Sequence, residues 1–247
     1  MIKNILVAIK SYFGAFSLIS QLKLWRYFII PMVISFITAI LIFGLAYTLS
    51  DNIGQYISKI WFWEFGKATF TSFSNFIGGL FVVIIGLIIF KHIIMALSAP
   101  FMSPVSEKIE RHITGQTNLT HRNTTFTQQL WRGIKINGRN LSMELLITLP
   151  LLLLKLIPIV NIFSTILLIA VQAYYAGFGN IDYTLERHFN YKNSIKFVKA
   201  NKGLAIGNGI VFMLFLLIPL IGVILVLPLS VTAASTITVA ALKTQSK

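Results

Sequence analysis

Residues 174–209, YYAGFGNIDYTLERHFNYKNSIKFVKANKGLAIGNG, decide how this chain is read. They carry Asp182, Arg187, Lys192, Lys196, Lys199 and Lys202, and they run on into the apolar stretch 211–240, VFMLFLLIPLIGVILVLPLSVTAASTITVA. A second apolar stretch precedes them. Each has a proline near its middle, in Leu156-Ile157-Pro158-Ile159-Val160 and in Leu217-Ile218-Pro219-Leu220-Ile221. A basic segment held between two short, proline-bent apolar hairpins has no natural place in a soluble fold. It fits a membrane permeation device.

Composition agrees. Of 247 residues, 56% are hydrophobic and 11% charged, whereas soluble domains carry about 25% charged residues. Mean hydropathy is +0.80. The apolar runs extend from end to end, which predicts one integral membrane domain. The net charge of +14 fits basic loops on the cytoplasmic face and anionic inner-leaflet lipids; no nucleic-acid motif accompanies it. Cysteine is absent, which excludes disulfides, thiolate metal sites and cysteine nucleophiles. No Gly-x-Ser-x-Gly or His-Glu-x-x-His occurs, and the four histidines are scattered. Neither an enzyme nor a cofactor or metal site is expected. No signal peptide is expected at the N-terminus.

In chain order, residues 1–26 read as an interfacial amphipathic helix, with Ile2, Ile5, Ile9, Phe13 and Phe16 on one face. Residues 27–49 and 75–98 are long spans at ~1.5 Å per residue. Trp61, Phe62 and Trp63 lie between them and suit a headgroup-level belt. Ala99-Pro100-Phe101-Met102-Ser103-Pro104 is expected to break the helix, with Ser103 capping a new one that stops at Gly115. Residues 99–140 form cytoplasmic amphipathic helices. Hairpin 1 occupies 141–178 and hairpin 2 occupies 204–242. The hairpin arms either cross fully or dip in from one side. In both cases the basic segments share one face, and the charge-balanced residues 50–74 lie on the other. The short first arm and Lys155 beside the bend favour re-entrant hairpins, tolerable only against protein or water. The fold class is therefore all-α integral membrane: two long transmembrane helices, two Pro-bent hairpins and interfacial helices.

Several short motifs, in order and spacing, resemble the CysZ-type sulfate permease family of the etoposide-induced-protein-like superfamily. They are Leu24-Trp25-Arg26-Tyr27 up to Pro31, Ala99-Pro100-Phe101 with Glu107 and Gly115, Ile157-Pro158-Ile159-Val160-Asn161, Ile181-Asp182-Tyr183, Asn201-Lys202-Gly203, Gly207-Asn208-Gly209 and Leu227-Pro228-Leu229. The resemblance implies sulfate uptake across a bacterial inner membrane for cysteine synthesis, in a homo-oligomer. It puts the substrate site at the family's Leu-Arg-Arg element, hence on Leu24, Trp25 and Arg26. Trp25 stands where the family has its first arginine, Thr184 where it has proline, and Asn208 where it has phenylalanine.

Arg26 precedes a long span, where a helix N-terminus and a guanidinium fork both suit a tetrahedral oxyanion. It also reads as a topology-setting snorkelling arginine. Glu107 and Glu110 are expected to pair with Lys108 or Arg111, and Asp182 with Arg187 or a lysine of 192–202. Glu144 enters hairpin 1, and His92 lies near the end of the second span; both have structural readings beside functional ones. Lys155 at a hairpin tip either lines a pore or anchors at the far surface. Gly203-x-x-x-Gly207-x-Gly209 reads as close helix packing. The partners expected are sulfate or a similar oxyanion and anionic lipids. The alternative function is a non-transporting protein that organises lipids or partner proteins through its amphipathic helices.

Overall fold

The computed structural model describes residues 1–59, 67–115, 124–155, 157–218 and 221–245. Among these, eight helices and no strand occur: α1 (Ile2–Gln21), α2 (Trp25–Ser58), α3 (Lys67–Thr114), α4 (Phe126–Leu154), α5 (Pro158–His188), α6 (Tyr191–Ala200), α7 (Lys202–Leu216) and α8 (Ile221–Gln245). The tryptophan belt at Trp61–Trp63 and the second bend at Pro219 lie outside the described residues. Stretches in five helices are long and apolar enough to cross a membrane: Ile2–Gln21, Trp25–Leu49, Ile85–Thr114, Val160–His188 and Ile224–Thr244. α5, at 31 residues, is ~46 Å long, beyond the ~30 Å hydrocarbon thickness. α7, at 15 residues, is short of it.

The chain forms two compact units. One is Phe36–Lys91, which holds the later part of α2 and the earlier part of α3; within it, Gly86 admits the Ile42 methyl so closely that a Cβ there would lie 2.8 Å from it. The other comprises Met1–Ser35 and His92–Lys247, and α5 is its axis, packed against α4, α6, α7 and α8.

Small residues set that packing. A Cβ on Gly177 would fall 1.9 Å from the Ala205 carbonyl, and one on Gly209 1.8 Å from that of Ala173, so the α5 and α7 backbones touch. Gly203 and Gly207 admit α1 in the same way, at Met1 and Ile5. Between them Asn208, fully buried, joins four helices. Its amide accepts from Asn180 of α5 (2.9 Å) and donates to the Ser230 carbonyl of α8 (3.0 Å), while its own carbonyl accepts from Tyr12 of α1 (2.8 Å). A buried amide is stable only when so satisfied.

The break expected at residues 99–104 is absent: α3 runs through Pro100 and Pro104 to Thr114 and ends at Gly115, whose φ of +68° is open to glycine. The prolines remove the N–H groups that the Ala96 and Pro100 carbonyls would meet in the helix. Neighbouring helices pack closely on that turn. Gly133 of α4 has no side chain, and an ideal Cβ there would sit 2.8 Å from the Ala96 oxygen. From α5, the Tyr183 hydroxyl donates to the Met95 carbonyl (2.6 Å) and Arg187 to that of Ser103 (3.1 Å). These bonds go to carbonyls near the two that the prolines leave open, and they tie the proline turn to α5.

α4 is likewise one helix where two segments were expected. Thr125 and Gln128 cap its start reciprocally, and Pro150 is carried inside it. Its buried face reads Gly133, Ile136, Asn137, Asn140, Glu144, Thr148, Leu151. Leu146, Leu149 and Leu153 face outwards, 48–70% exposed. Polar inside and apolar outside is the arrangement a bilayer rewards. The residues that looked like a helix boundary are the inner face. Pro158 opens α5 at its first turn.

Candidate functional site

The α1–α2 joint positions the expected anion site. α1 ends in a Schellman motif: the Leu24 N–H bonds the Ile19 carbonyl (2.9 Å) and the Lys23 N–H that of Ser20 (3.2 Å). Lys23 holds φ +51°, a left-handed conformation costly for a non-glycine residue. Leu24 and Ile19, the two positions whose apolar contact usually accompanies the motif, are both fully buried. This fixes where α2 begins and where Arg26 projects.

The three expected residues then part company. Leu24 points into the core. Trp25 turns back on α1, its indole N–H donating to Ser20 Oγ (3.3 Å) and its ring meeting Phe16 and Phe28 edge-on, 5.5 and 6.4 Å between centroids. Arg26 is exposed; its Nη2 donates to the Tyr27 hydroxyl (3.2 Å), and its guanidinium carbon lies 5.0 Å from that ring's centroid. Lys108 of α3 lies 4.7 Å from the same centroid. Two cations on one tyrosine therefore stand at a helix N-terminus, where first-turn N–H groups add partial positive charge. An oxyanion there would meet donors of two kinds.

A second cluster lies inside. Arg187 of α5 donates to Glu110 Oε2 (3.0 Å), to Ser106 Oγ (2.7 Å) and to the carbonyls of Ser103 and Tyr183 (3.1 Å each). His188 Nε2 is 2.8 Å from the other Glu110 oxygen. Ser103 donates to Glu186. Beside this, Arg132 of α4 grips both Asp182 oxygens at 2.9 Å and donates to the Phe189 carbonyl (2.7 Å) and Ser194 Oγ (2.6 Å). Burial works against the Arg132 charge, but the Asp182 carboxylate outweighs it and holds the guanidinium above its ordinary value. These groups are engaged with one another, so the cluster is a clamp across α3, α4, α5 and α6.

A third pair, His92 and Glu144, lies 2.9 Å apart with both side chains buried. Around it on α4, Asn137 Oδ1, Asn140 Nδ2 and Thr148 Oγ1 are buried without a hydrogen-bond partner among the described residues.

The remaining expected residues scatter. Glu107 forms a surface pair with Arg111 at 2.5 Å, one turn apart. Lys155 caps the end of α4. Asp182 and Arg187 share one cluster but bond to Arg132 and Glu110, not to each other. Reading the sequence as topology overlooked Arg132, Glu186 and His188 as interior groups, and took Lys108 for a carboxylate partner. One signal was available. Among the described residues, four acids, Glu110, Glu144, Asp182 and Glu186, are buried in a chain that has only seven. An acid kept in so apolar and basic a chain marks an interior cation or histidine nearby.

These features define a multi-pass, all-helical membrane protein with a polar interior and a cationic helix start. The family model described as sulfate transporter CysZ/etoposide-induced protein 2.4 matches residues 11–228, and the chain belongs to that family. The match spans Arg26, Lys108 and every member of the buried clusters. No curated protein matches the chain.

Proposed function

We propose that the protein is a permease for sulfate or a related tetrahedral oxyanion in the bacterial inner membrane, supplying sulfur assimilation. Family membership supports the substrate class. The observation that carries the site is the convergence of Arg26 and Lys108 on Tyr27 at the start of α2. Trp25 occupies the family's first arginine position and is spent on packing against α1. Lys108 supplies the second positive charge from another helix. Leu24 seats the joint, Trp25 braces it, and Arg26 makes the contact.

The clamp of Glu110, Arg187, Asp182 and Arg132 holds the helices behind that entry. No acid occurs within 27–49 or 75–98, which supports a passive, channel-like route over proton coupling. The basic flanks support cytoplasmic termini. We read the chain as a transporter in a homo-oligomer, not an enzyme. The rival reading, a lipid-organising protein without transport, draws on α1, where Phe13 and Phe16 are 86% and 57% exposed on a helix that also carries Lys3 and Lys10. Labelled-sulfate uptake into liposomes separates the two. Uptake that Arg26→Ala and Lys108→Ala each reduce supports the permease; anionic-lipid binding without flux supports the rival.

A further inference from the structure

A groove of about 680 Å³ opens between α4, α5, α6 and α7, away from Arg26 in sequence and unused by the proposed entry site. One end is cationic: Arg139 from α4, Lys199 from α6 and Lys202 from α7. Among the described residues none of the three has a carboxylate partner. Arg139 is held in place by a hydrogen bond to Asn140 Oδ1 (3.0 Å) and by the Phe178 ring, 5.6 Å from its guanidinium carbon. That leaves most of its donor fork available. Tyr174 lines the same groove.

From this end the groove continues as an apolar trough. Ile147 lies eight residues beyond Arg139 on α4, and Leu167 lies seven residues before Tyr174 on antiparallel α5. At ~1.5 Å per residue both displacements are ~10–12 Å, so the two walls run together. Val171 lines the trough between them. Ile147 and Leu167 are 39% and 51% exposed.

A free tetrahedral anion needs the donors and gains nothing from an apolar trough of this length. A phospholipid needs both: an anionic headgroup phosphate at the basic end and an acyl chain along the walls. We infer that this groove is a specific binding site for an anionic phospholipid, its phosphate held by Arg139, Lys199 and Lys202 and its chain laid against Ile147, Leu167 and Val171. The inference stands on the groove alone and does not depend on sulfate transport.

The test is native mass spectrometry of the purified protein with added phosphatidylglycerol or phosphatidylcholine. Wild type should retain phosphatidylglycerol in preference to phosphatidylcholine. The triple variant Arg139→Ala/Lys199→Ala/Lys202→Ala should lower that retention by about tenfold or more, since each basic group beside an anionic headgroup contributes several-fold. The triple variant Lys3→Ala/Lys10→Ala/Lys59→Ala, which removes equal charge from exposed sites on α1 and just past the end of α2, should leave it intact. Val171→Trp fills the trough while keeping the cations, and should also lower retention. Equal retention of the two lipids, an equal loss in the control triple, or no loss in Val171→Trp overturns the inference. Displacement by millimolar inorganic sulfate also overturns it, by making the groove a free-anion site.

Discussion

Arg132→Ala removes a side chain that ties α4 to both sides of the α5–α6 joint. It deletes a two-pronged pair to Asp182, both contacts 2.9 Å, together with bonds to the Phe189 carbonyl and the Ser194 hydroxyl. What remains is the Asp182 carboxylate, 5% exposed and without its partner. Removing one member of a buried ion pair costs about 3–5 kcal/mol, while replacing both members by apolar residues of similar volume is often neutral. Arg132→Ala and Asp182→Ala should therefore each destabilise by about 3–5 kcal/mol. The double variant Arg132→Ala/Asp182→Ala should fall well short of the sum, a coupling of order 3 kcal/mol. Denaturant titration in mild detergent measures all three. Limited proteolysis adds a local readout, because Arg132→Ala should open the Phe189-Asn190 link between α5 and α6 before the rest unfolds. Because the folded guanidinium lies above its ordinary value, its stabilisation is complete below that value and fades only at more alkaline pH. It should be flat through the neutral range. A loss under about 1 kcal/mol for Arg132→Ala, or two single losses that simply add, refutes the clamp.

Three further outcomes follow from other parts of the fold. Gly209→Val places a side chain where a Cβ already falls 1.8 Å from the Ala173 carbonyl; it should force α5 and α7 apart and cost about 1–3 kcal/mol or more, read as a lower unfolding midpoint. Lys23→Val puts a β-branched residue at φ +51° and should cost about 1–2 kcal/mol, whereas Lys23→Gly should be tolerated; equal midpoints for the two count against the Schellman joint. Glu144→Gln weakens the buried contact to His92 and should cost about 1.5–3 kcal/mol, with the His92 ring resonances in NMR shifting as an amide replaces the carboxyl group.

The sequence carries much of this fold in local signals. Pro158 opens α5 because proline at a helix start loses nothing, and Gly203, Gly207 and Gly209 foretell close helix approach because only a missing Cβ permits it. The membrane class follows from composition alone. What stays hidden depends on partners distant in the chain. Pro100 and Pro104 look like a break because local rules cannot see Tyr183 and Arg187, some 80 residues later, bonding the Met95 and Ser103 carbonyls and tying that stretch of α3 to α5. Asp182 is followed in sequence by Arg187, Lys192 and Lys196, yet its partner is Arg132, 50 residues earlier. α4 reads as two segments because Asn140 and Glu144 look like a polar edge. In a bilayer protein the polar face turns inward, so the soluble-protein sense of amphipathicity inverts. At the candidate site, Arg26 was legible through the family motif, while Lys108 was not, since only the packing of α3 beside α2 brings it to Tyr27.

The central claim is that Arg26 forms the first binding site of an oxyanion permease. Purified protein reconstituted in liposomes, with labelled sulfate outside, tests it most directly. The account predicts uptake above empty vesicles and a loss of about tenfold in Arg26→Ala, the scale of one charge-assisted contact. Uptake no greater than empty vesicles, or full uptake in the Arg26→Ala protein, contradicts it.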